Sequence, residues 1–600
     1  MIKLLQIAVK KSLIRLFDLE FGYLISQKKN NLTMLVSACL SYASYMGNSC
    51  LPISIFEKKN FFPKKEIILI KKILNKINNI KNWKQELLKD KNISHEKYDT
   101  PLIIYKNKIY LNKIWKIEKK IVNFIKKNNI QSKYFLKYTN EIKNILFQIT
   151  ENQQKKAIAL AMIKKITFII GGPGTGKTTI IKKILDIIIN LDKNILNIKI
   201  AAYTGKATCR INETLKKNIN YRNIKAITLH NLIGIKYNSK HNYFNTNNKI
   251  LVDILIIDET SMIDLFTMNK LIDALPNYTE IIFLGDINQL SSIENGSILK
   301  DICYYAKNTY TEKTKNLLEK ITDCKIKINN NFITNITDCI YILKKTYRFK
   351  KNNYIKKLSN SILKNDNNII NKIINGKFYN INYYNINTDK KYKNMIQYII
   401  LMYSKYLNKL NTEYSKEKII QLFNKYQVLC AIHNGAFSTN EINQNIENNI
   451  IIKYKIKKYW INNDFWYHGR PIMIQKNNKY LNLFNGDIGI TMYNQKNQLE
   501  FFFLHKKNKL KKIPIYLLDQ KEYEIPWSIT IHKSQGSEFK NIIIILPKIF
   551  KDILNKELIY TAITRSKKKI TIFSDKNILK KTLKNENIRF SGIKDLIRDK

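Results

Sequence analysis

Gly171-Gly172-Pro173-Gly174-Thr175-Gly176-Lys177-Thr178 satisfies the pattern G-x-x-x-x-G-K-S/T at every fixed position. The residues before it, Ile166-Thr167-Phe168-Ile169-Ile170, are β-branched and apolar, as in a strand buried on both faces. The run after it, Ile180 to Ile189, is long enough for a helix. Strand, glycine loop and helix in that order make a phosphate cradle. Loop N–H groups face inward, and the helix N-terminus carries partial positive charge. The spacing predicts a nucleotide site built from Gly171, Gly172, Pro173, Gly174, Thr175, Gly176, Lys177, Thr178 and Thr179. Lys177 would reach the β- and γ-phosphates, and Thr178 would hold Mg²⁺. The loop names a nucleotide without saying what the nucleotide is for.

About 80 residues on, Leu255-Ile256-Ile257-Asp258-Glu259 is an apolar strand ending in two carboxylates. Asp258 can bind Mg²⁺ opposite Thr178, and Glu259 can polarise an attacking water. Gln289, in Leu284-Gly285-Asp286-Ile287-Asn288-Gln289-Leu290, could sense a γ-phosphate while Asp286 braces the site. Arg348, in Lys345-Thr346-Tyr347-Arg348-Phe349, and Arg565, in Tyr560-Thr561-Ala562-Ile563-Thr564-Arg565, stand out where Lys is the usual cation. A planar guanidinium suits phosphate better than a flexible ammonium. The two are expected to be arginine fingers from outside the P-loop unit; the alternative is a pair of surface salt bridges.

The string Ser528-Ile529-Thr530-Ile531-His532-Lys533-Ser534-Gln535-Gly536-Ser537-Glu538-Phe539 reads as strand, polar turn and strand. Gly536 lets its backbone approach a ligand closely. A role linking nucleotide state to nucleic-acid grip is the favoured reading. Tyr203-Thr204-Gly205-Lys206-Ala207 follows a strand, and Thr228-Leu229-His230-Asn231-Leu232-Ile233-Gly234 opens a helix. Both suit contacts to a phosphate backbone, and either could be a plain loop.

A chain of 600 residues exceeds one core, so three to four domains are expected. No apolar run nears the roughly 18 residues that would cross a bilayer. The basic, amphipathic start, Met1 to Phe17, lacks a small-residue cleavage site, so it reads as a surface helix and the chain as cytoplasmic. Seven cysteines without C-x-x-C spacing argue against a disulfide framework or a zinc site. The net charge of +58 permits a polyanionic partner such as nucleic acid. Lys, Ile and Asn abound even in loops such as Asn329-Asn330-Asn331, as A/T-rich codons would dictate, so the charge alone does not establish that partner.

Residues 1 to about 140 are mostly helical in pattern. Glu151 to Ala157 opens a helix ahead of the P-loop strand. To about residue 300, β-branched runs (Ile198 to Ala202, Ile254 to Ile257, Glu280 to Leu284) alternate with helical segments, the mark of a parallel α/β sheet. Residues 305–335 look like a Lys/Asn-rich connection, 345–445 are helical with short strands, and 450–525 suggest a small β module. A second α/β unit has strands at Ser528 to Ile531, Asn541 to Leu546 and Lys569 to Phe573.

In order, the chain carries a glutamine before the loop, then GGPGTGKTT, YTGKAT, TLHNLIG, IIDETSMID, GDINQL, YRF, NGDIGI, ITIHKSQGSEF and YTAITR. This resembles the motif series of superfamily 1 DNA helicases, with the spelling of the RecD family, the alpha subunits of RecBCD exonuclease V complexes. Gly47 to Ser54, Pro101-Leu102, Tyr110-Leu111, Trp115, Trp466 to Pro471 and Leu483 to Gly489 extend the likeness over nearly the whole chain. The resemblance implies an α/β fold: a helical, partner-interface N-terminal domain at 1–140, a RecA-like P-loop ATPase domain at 141–345 and a second RecA-like domain at 346–600. That second domain would carry a small β (SH3-like) insertion at about 450–525.

It also implies roles. Gln154 would contact adenine; Asp258 and Glu259 would be the Walker B pair, Gln289 the γ-phosphate sensor, and Arg348 and Arg565 the fingers. Thr204, Lys206, His230, His532, Ser534 and Gln535 would face single-stranded DNA or couple it to ATP. ATP and Mg²⁺ are the implied cofactors. The implied function is a 5′–3′ helicase subunit working with RecB-like and RecC-like subunits in double-strand break repair, recombination and degradation of linear DNA. No nuclease site is evident in this chain, so nuclease activity would belong to a partner. After GDINQL the spelling Ser291-Ser292-Ile293-Glu294-Asn295-Gly296 departs from the family pattern, as do residues 305–335. The competing readings are a stand-alone RecD-like helicase, a structural subunit with a decayed ATPase, and a P-loop kinase or transporter ATPase. The intact catalytic set opposes the second, and the SQGSE and TAITR stretches oppose the third.

Overall fold

The computed structural model describes the chain apart from residues 28–29, 63–65, 78–79, 97, 192–196, 217–220, 222–223, 236–241, 293, 328–335, 348–353, 377, 411, 413, 462–463, 479, 505–508 and 600. Two parallel sheets dominate, as the α/β expectation required. The first runs, edge to edge, Ile340–Leu343, Ile166–Gly171, Glu280–Gly285, Ile254–Asp258, Ile198–Ala202, Ala226–Thr228. The second runs Ile381–Asn385, Ser566–Ser574, Phe539–Ile545, Tyr426–Cys430, Ser528–Thr530. The central strands Ile166–Gly171 and Glu280–Gly285 are buried at every residue, because helices cover both faces. Registers pair Ile170 with Gly285 and Ala202 with Asp258, so these strand ends share one edge of the sheet. Open α/β sheets bind ligands at that edge.

The second sheet is interrupted after helix Thr439–Lys453 by a small β module. Its five antiparallel strands include Pro471–Ile474, Ile488–Tyr493 and Leu499–Leu504. Buried Arg470 pins it: Nε donates to Glu447 on that helix at 2.9 Å, and Nη1 pairs with Asp464 at 3.1 Å.

The N-terminal region is helical but also holds a four-stranded sheet, Cys50–Pro52, Lys108–Leu111, Leu102–Tyr105, Ile93–His95. Strands of three or four residues are too short to show a period of two, which is why the sequence pattern missed them. The helix expected over Met1 to Phe17 is two helices, Ile2–Lys10 and Leu16–Ser26, separated where Ser12 turns left-handed at φ 56°. Gly22 lets the second helix sit on Asn31–Tyr45; a Cβ there would lie 2.6 Å from the Met34 carbonyl oxygen. Within 305–335, helix Glu312–Thr322 starts at a Thr311 cap and ends at left-handed Asp323. Among the described residues no helix is long and apolar enough to cross a membrane.

Candidate nucleotide and nucleic-acid site

The glycine loop joins the buried strand Ile166–Gly171 to helix Lys177–Leu191. Gly174 (φ 76°) and Gly176 (φ 89°) take left-handed backbone, which glycine adopts without Cβ strain. A Cβ on Gly176 would lie 2.7 Å from Gln154 Nε2, so loop and preceding helix are packed tightly. Thr175 Oγ1 donates to the Gly172 carbonyl at 2.8 Å, and Lys177 Nζ donates to the Gly171 and Gly172 carbonyls, holding the ammonium over the loop. Gln154 is buried and accepts from Lys183 Nζ at 3.2 Å.

Asp258 ends its strand, buried, and accepts the Glu259 N–H at 2.8 Å. Burial, then the charge of Glu259, push its carboxyl up to about 6, against the pull of Lys177. Glu259 sits at φ 55°, a left-handed conformation that non-glycine residues hold only when their surroundings enforce it. Thr260 Oγ1 helps by donating to the Leu284 carbonyl at 2.7 Å.

The next strand delivers Asp286 and Gln289. Gln289 Nε2 donates to Asp286 Oδ2 at 3.0 Å, and the Tyr560 hydroxyl donates to the same oxygen at 3.2 Å. Arg565 Nη2 donates to Gln289 Oε1 at 2.8 Å. Tyr560 and Arg565 come from helix Lys556–Thr564 and its C-cap in the second α/β unit, so a continuous polar chain crosses from one unit to the other. Beside it, Leu290 N–H donates to Thr561 Oγ1 at 2.9 Å, and Gln535 Nε2 donates to the Leu290 carbonyl at 3.1 Å.

These groups surround one cleft of about 340 Å³, lined by Pro173, Gly174, Gly176, Lys177, Thr178, Thr179, Asp258, Glu259, Gln289 and Arg565. Four further residues line it: Tyr347, Arg210 and Thr564, to which no role was assigned, and Glu538, from the string expected to link nucleotide state to nucleic-acid grip. Tyr347 donates its N–H to the Gly174 carbonyl at 2.7 Å and its hydroxyl to Glu151 at 2.9 Å. Its signal was the aromatic beside Arg348 in a motif otherwise read for its arginine. Arg210 pairs with Glu538 at 2.5 Å across the cleft, and Lys567 pairs with Glu538 at 3.3 Å. Arg210 is one more Arg in a Lys-rich chain, the signal that did single out Arg348 and Arg565. Arg348 lies outside the described residues.

The residues expected at nucleic acid do not themselves line this cleft, although Gln535 reaches Leu290 beside it. Thr204 caps helix Gly205–Leu215, and a Cβ on Gly536 would lie 2.8 Å from its hydroxyl, so the 532–538 string packs directly on the Thr204 turn. Lys206 is half-buried under the β module: a Cβ on Gly486 would meet its Cε at 2.5 Å. Burial pushes its ammonium down to about 8 despite Asp487 and Glu524 nearby. His230 meets Tyr203 edge-on with centroids 5.2 Å apart, and burial lowers its pKa. His532 is half-buried and also lowered by burial. Ser534 and Gln535 are buried and bond to backbone carbonyls, Ser534 Oγ to Ile531 at 2.6 Å.

Family models match along the chain: the N-terminal domain of RecBCD enzyme subunit RecD at residues 10–110, an AAA domain at 154–295 and a UvrD-like helicase C-terminal domain at 527–573. The RecBCD enzyme subunit RecD of Buchnera aphidicola subsp. Acyrthosiphon pisum is 44% identical, covering 98% of this chain and 99% of that one. The subunit of the same name from Buchnera aphidicola subsp. Schizaphis graminum is 42% identical over 97% and 99%, and that of Haemophilus influenzae 29% over 97% and 97%. Among solved structures, a Pif1 helicase at forked DNA aligns over 72% of this chain and 94% of its own with 19% identity and a TM-score of 0.39, a distant likeness.

Proposed function

Because this chain belongs to the RecD family of superfamily 1 helicases, we propose that its cleft is an ATP-driven motor site moving 5′–3′ on one DNA strand. The chain is an ATP-dependent helicase subunit of the RecBCD type. The observation that best supports the motor reading is the polar chain Asp286–Gln289–Arg565, which spans two α/β units at the mouth of the P-loop. A site that merely bound a nucleotide would not need both units.

In this reading Lys177 and the loop N–H groups bind the ATP phosphates, Gln154 and Tyr347 flank the nucleotide at the loop, and Glu259 orients the attacking water. Thr178 and Asp258 line the same cleft and offer a hydroxyl and a carboxylate, the hard oxygen donors that Mg²⁺ prefers. Bound there, Mg²⁺ would neutralise phosphate charge. Arg565 stabilises the charge that develops during hydrolysis, Arg348 is its proposed companion, and Gln289 reports the γ-phosphate to both units. Closure then shifts the 532–538 string against the Thr204 turn, with Lys206, His230, His532, Ser534 and Gln535 gripping single-stranded DNA or coupling it to ATP.

We take residues 1–140 as the partner-interface domain, 141–345 and 346–600 as the two RecA-like domains, and the β module at about 450–525 as an SH3-like insertion. RecB-like and RecC-like subunits are the proposed partners, in the cytoplasm, on ends of linear duplex. Single-strand-stimulated ATPase of the purified chain is the test. Lys177→Gln should abolish turnover while leaving DNA affinity within about threefold. DNA binding without any ATPase stimulation in the unmodified chain would sink the motor reading. Co-purification with two large subunits tests the partners.

A further inference from the structure

The C-terminal residues leave the second α/β unit and cross to the other two. After helix Lys576–Lys584, Asn587 N–H donates to Glu557 at 3.3 Å. Arg589 Nη1 then donates to two carbonyls, Glu294 at 2.8 Å and Gly296 at 3.0 Å. Phe590 N–H donates to Asn48 Oδ1 and its carbonyl accepts the Ser49 N–H, each at 2.9 Å. The Ser591 hydroxyl and the Gly592 N–H donate to the two oxygens of buried Glu118, each at 3.0 Å. Helix Ile593–Arg598 buries Ile593 and Ile597 in the core beneath the first sheet. The segment is a strap tying the end of the second unit to the N-terminal region and the first sheet.

The two carbonyls that Arg589 takes close the loop that begins right after Gln289. At its start, Leu290 is held by Thr561 and Gln535. At its end, Asn295 Nδ2 donates to Ser44 Oγ at 2.7 Å, and Gly296 N–H donates to the Gly47 carbonyl at 3.0 Å. Ser292 Oγ bridges the Glu294 and Gly296 carbonyls at 3.1 Å each. Behind Gln289 there remains a gap of only about 20 Å³, walled by Ser291, Ser297 and Asn587. The described residues of the loop are thus held by the Arg589 pair, the Asn295 side chain and the Gly296–Gly47 bond together.

We infer that Arg589 is a positioning residue for ATP hydrolysis, fixing the loop after Gln289 so that Gln289 stays engaged with Arg565 and Asp286. This rests on the motor reading of the cleft. It assigns the strap, which lies beyond the last helicase motif, a part in turnover as well as in stability.

The test is single-strand-stimulated ATP turnover by the full chain in a double-mutant cycle. Arg589→Ala should lower kcat about tenfold with KM for ATP changed less than about threefold, and should cost less than about twofold more in a Gln289→Ala background. Arg589→Lys, which keeps the charge and a donor, should recover most of kcat. Unchanged kcat in Arg589→Ala, or the same fold loss in both backgrounds, overturns the inference. If Arg589→Ala does not fold, Asn295→Ala, which cuts another of the loop's tethers, carries the same cycle with Gln289 and decides it. Lys177→Gln, run alongside, separates the two readings: turnover surviving there would defeat the motor assignment itself.

Discussion

Gly592 leaves no space for a side chain: a Cβ there would stand 2.0 Å from the Tyr110 hydroxyl oxygen and 3.0 Å from Glu118 Oε2. Gly592→Ala should therefore force the strap off its seat and cost about 1–3 kcal/mol by urea unfolding, the usual range for overpacking a buried site. Unfolding parameters equal to wild type would refute that packing. The carboxylate beside it carries a pH signature. Burial is the main cause lifting Glu118 to about 7, with Asp301 adding to it and the Ser591 and Gly592 hydrogen bonds opposing it. A carboxyl raised in the folded state favours folding while it is protonated, so its contribution is full below its unfolded value near 4.5 and fades as pH rises through about 7. The swing is on the order of 3 kcal/mol. Lys108, which faces the same pocket, stays charged across this range: burial lowers it, but its hydrogen bond to Asp595 and the neighbouring acidic groups, Glu118 among them, together raise it. Glu118→Gln should flatten the fall in melting temperature between pH 5 and 8; parallel curves for the two proteins would exclude Glu118 as its source.

At the scale of elements, what the sequence made readable were segments whose role is set locally. The P-loop needs its own glycines, strand and helix, and Asp258 needs only the end of a buried strand. What stayed hidden was pairing between distant segments. Arg210 on helix Gly205–Leu215 meets Glu538, which lies 328 residues away, and no local pattern at either position announces the other. The four short strands of the N-terminal region were missed for a related reason, since each is stabilised by its neighbours more than by its own pattern. The Arg210–Glu538 pair joins the helix that Thr204 caps to the string that packs on it, so its effect belongs to coupling between units. Arg210 is largely exposed, and exposed pairs add at most about 1 kcal/mol. Arg210→Glu should thus leave melting nearly unchanged yet lower DNA-stimulated turnover about tenfold. The swap Arg210→Glu with Glu538→Arg should restore part of it. Equal loss in the single and double variants would show that the pair does not couple the units.

For the whole molecule the open quantity is charge. Lys and Arg number 104 against 46 Asp and Glu, so even if every acid were paired most of the bases would face solvent. Two origins of this excess make different predictions. Cations spread by codon composition repel one another everywhere and contact a strand only where the fold puts them. A binding track concentrates them along the path of the backbone. The polar groups near the Thr204 turn are mostly neutral or shielded: Lys206 is half-buried beneath Asp487, and Lys533 is paired with Glu524. A motor gripping single-stranded DNA there would displace few counterions, on the order of five. With a slope of about −0.7 per phosphate neutralised, a fourfold rise in salt then weakens binding by about 100-fold. A slope two or three times steeper would mean that the surface excess also engages DNA, while a flat dependence would leave the +58 without a role in binding. Titrating oligonucleotide affinity between 50 and 200 mM salt, with Lys177→Gln to suppress turnover, distinguishes these outcomes. A slope near five contacts would place recognition in the motif turns rather than in the bulk field of the protein.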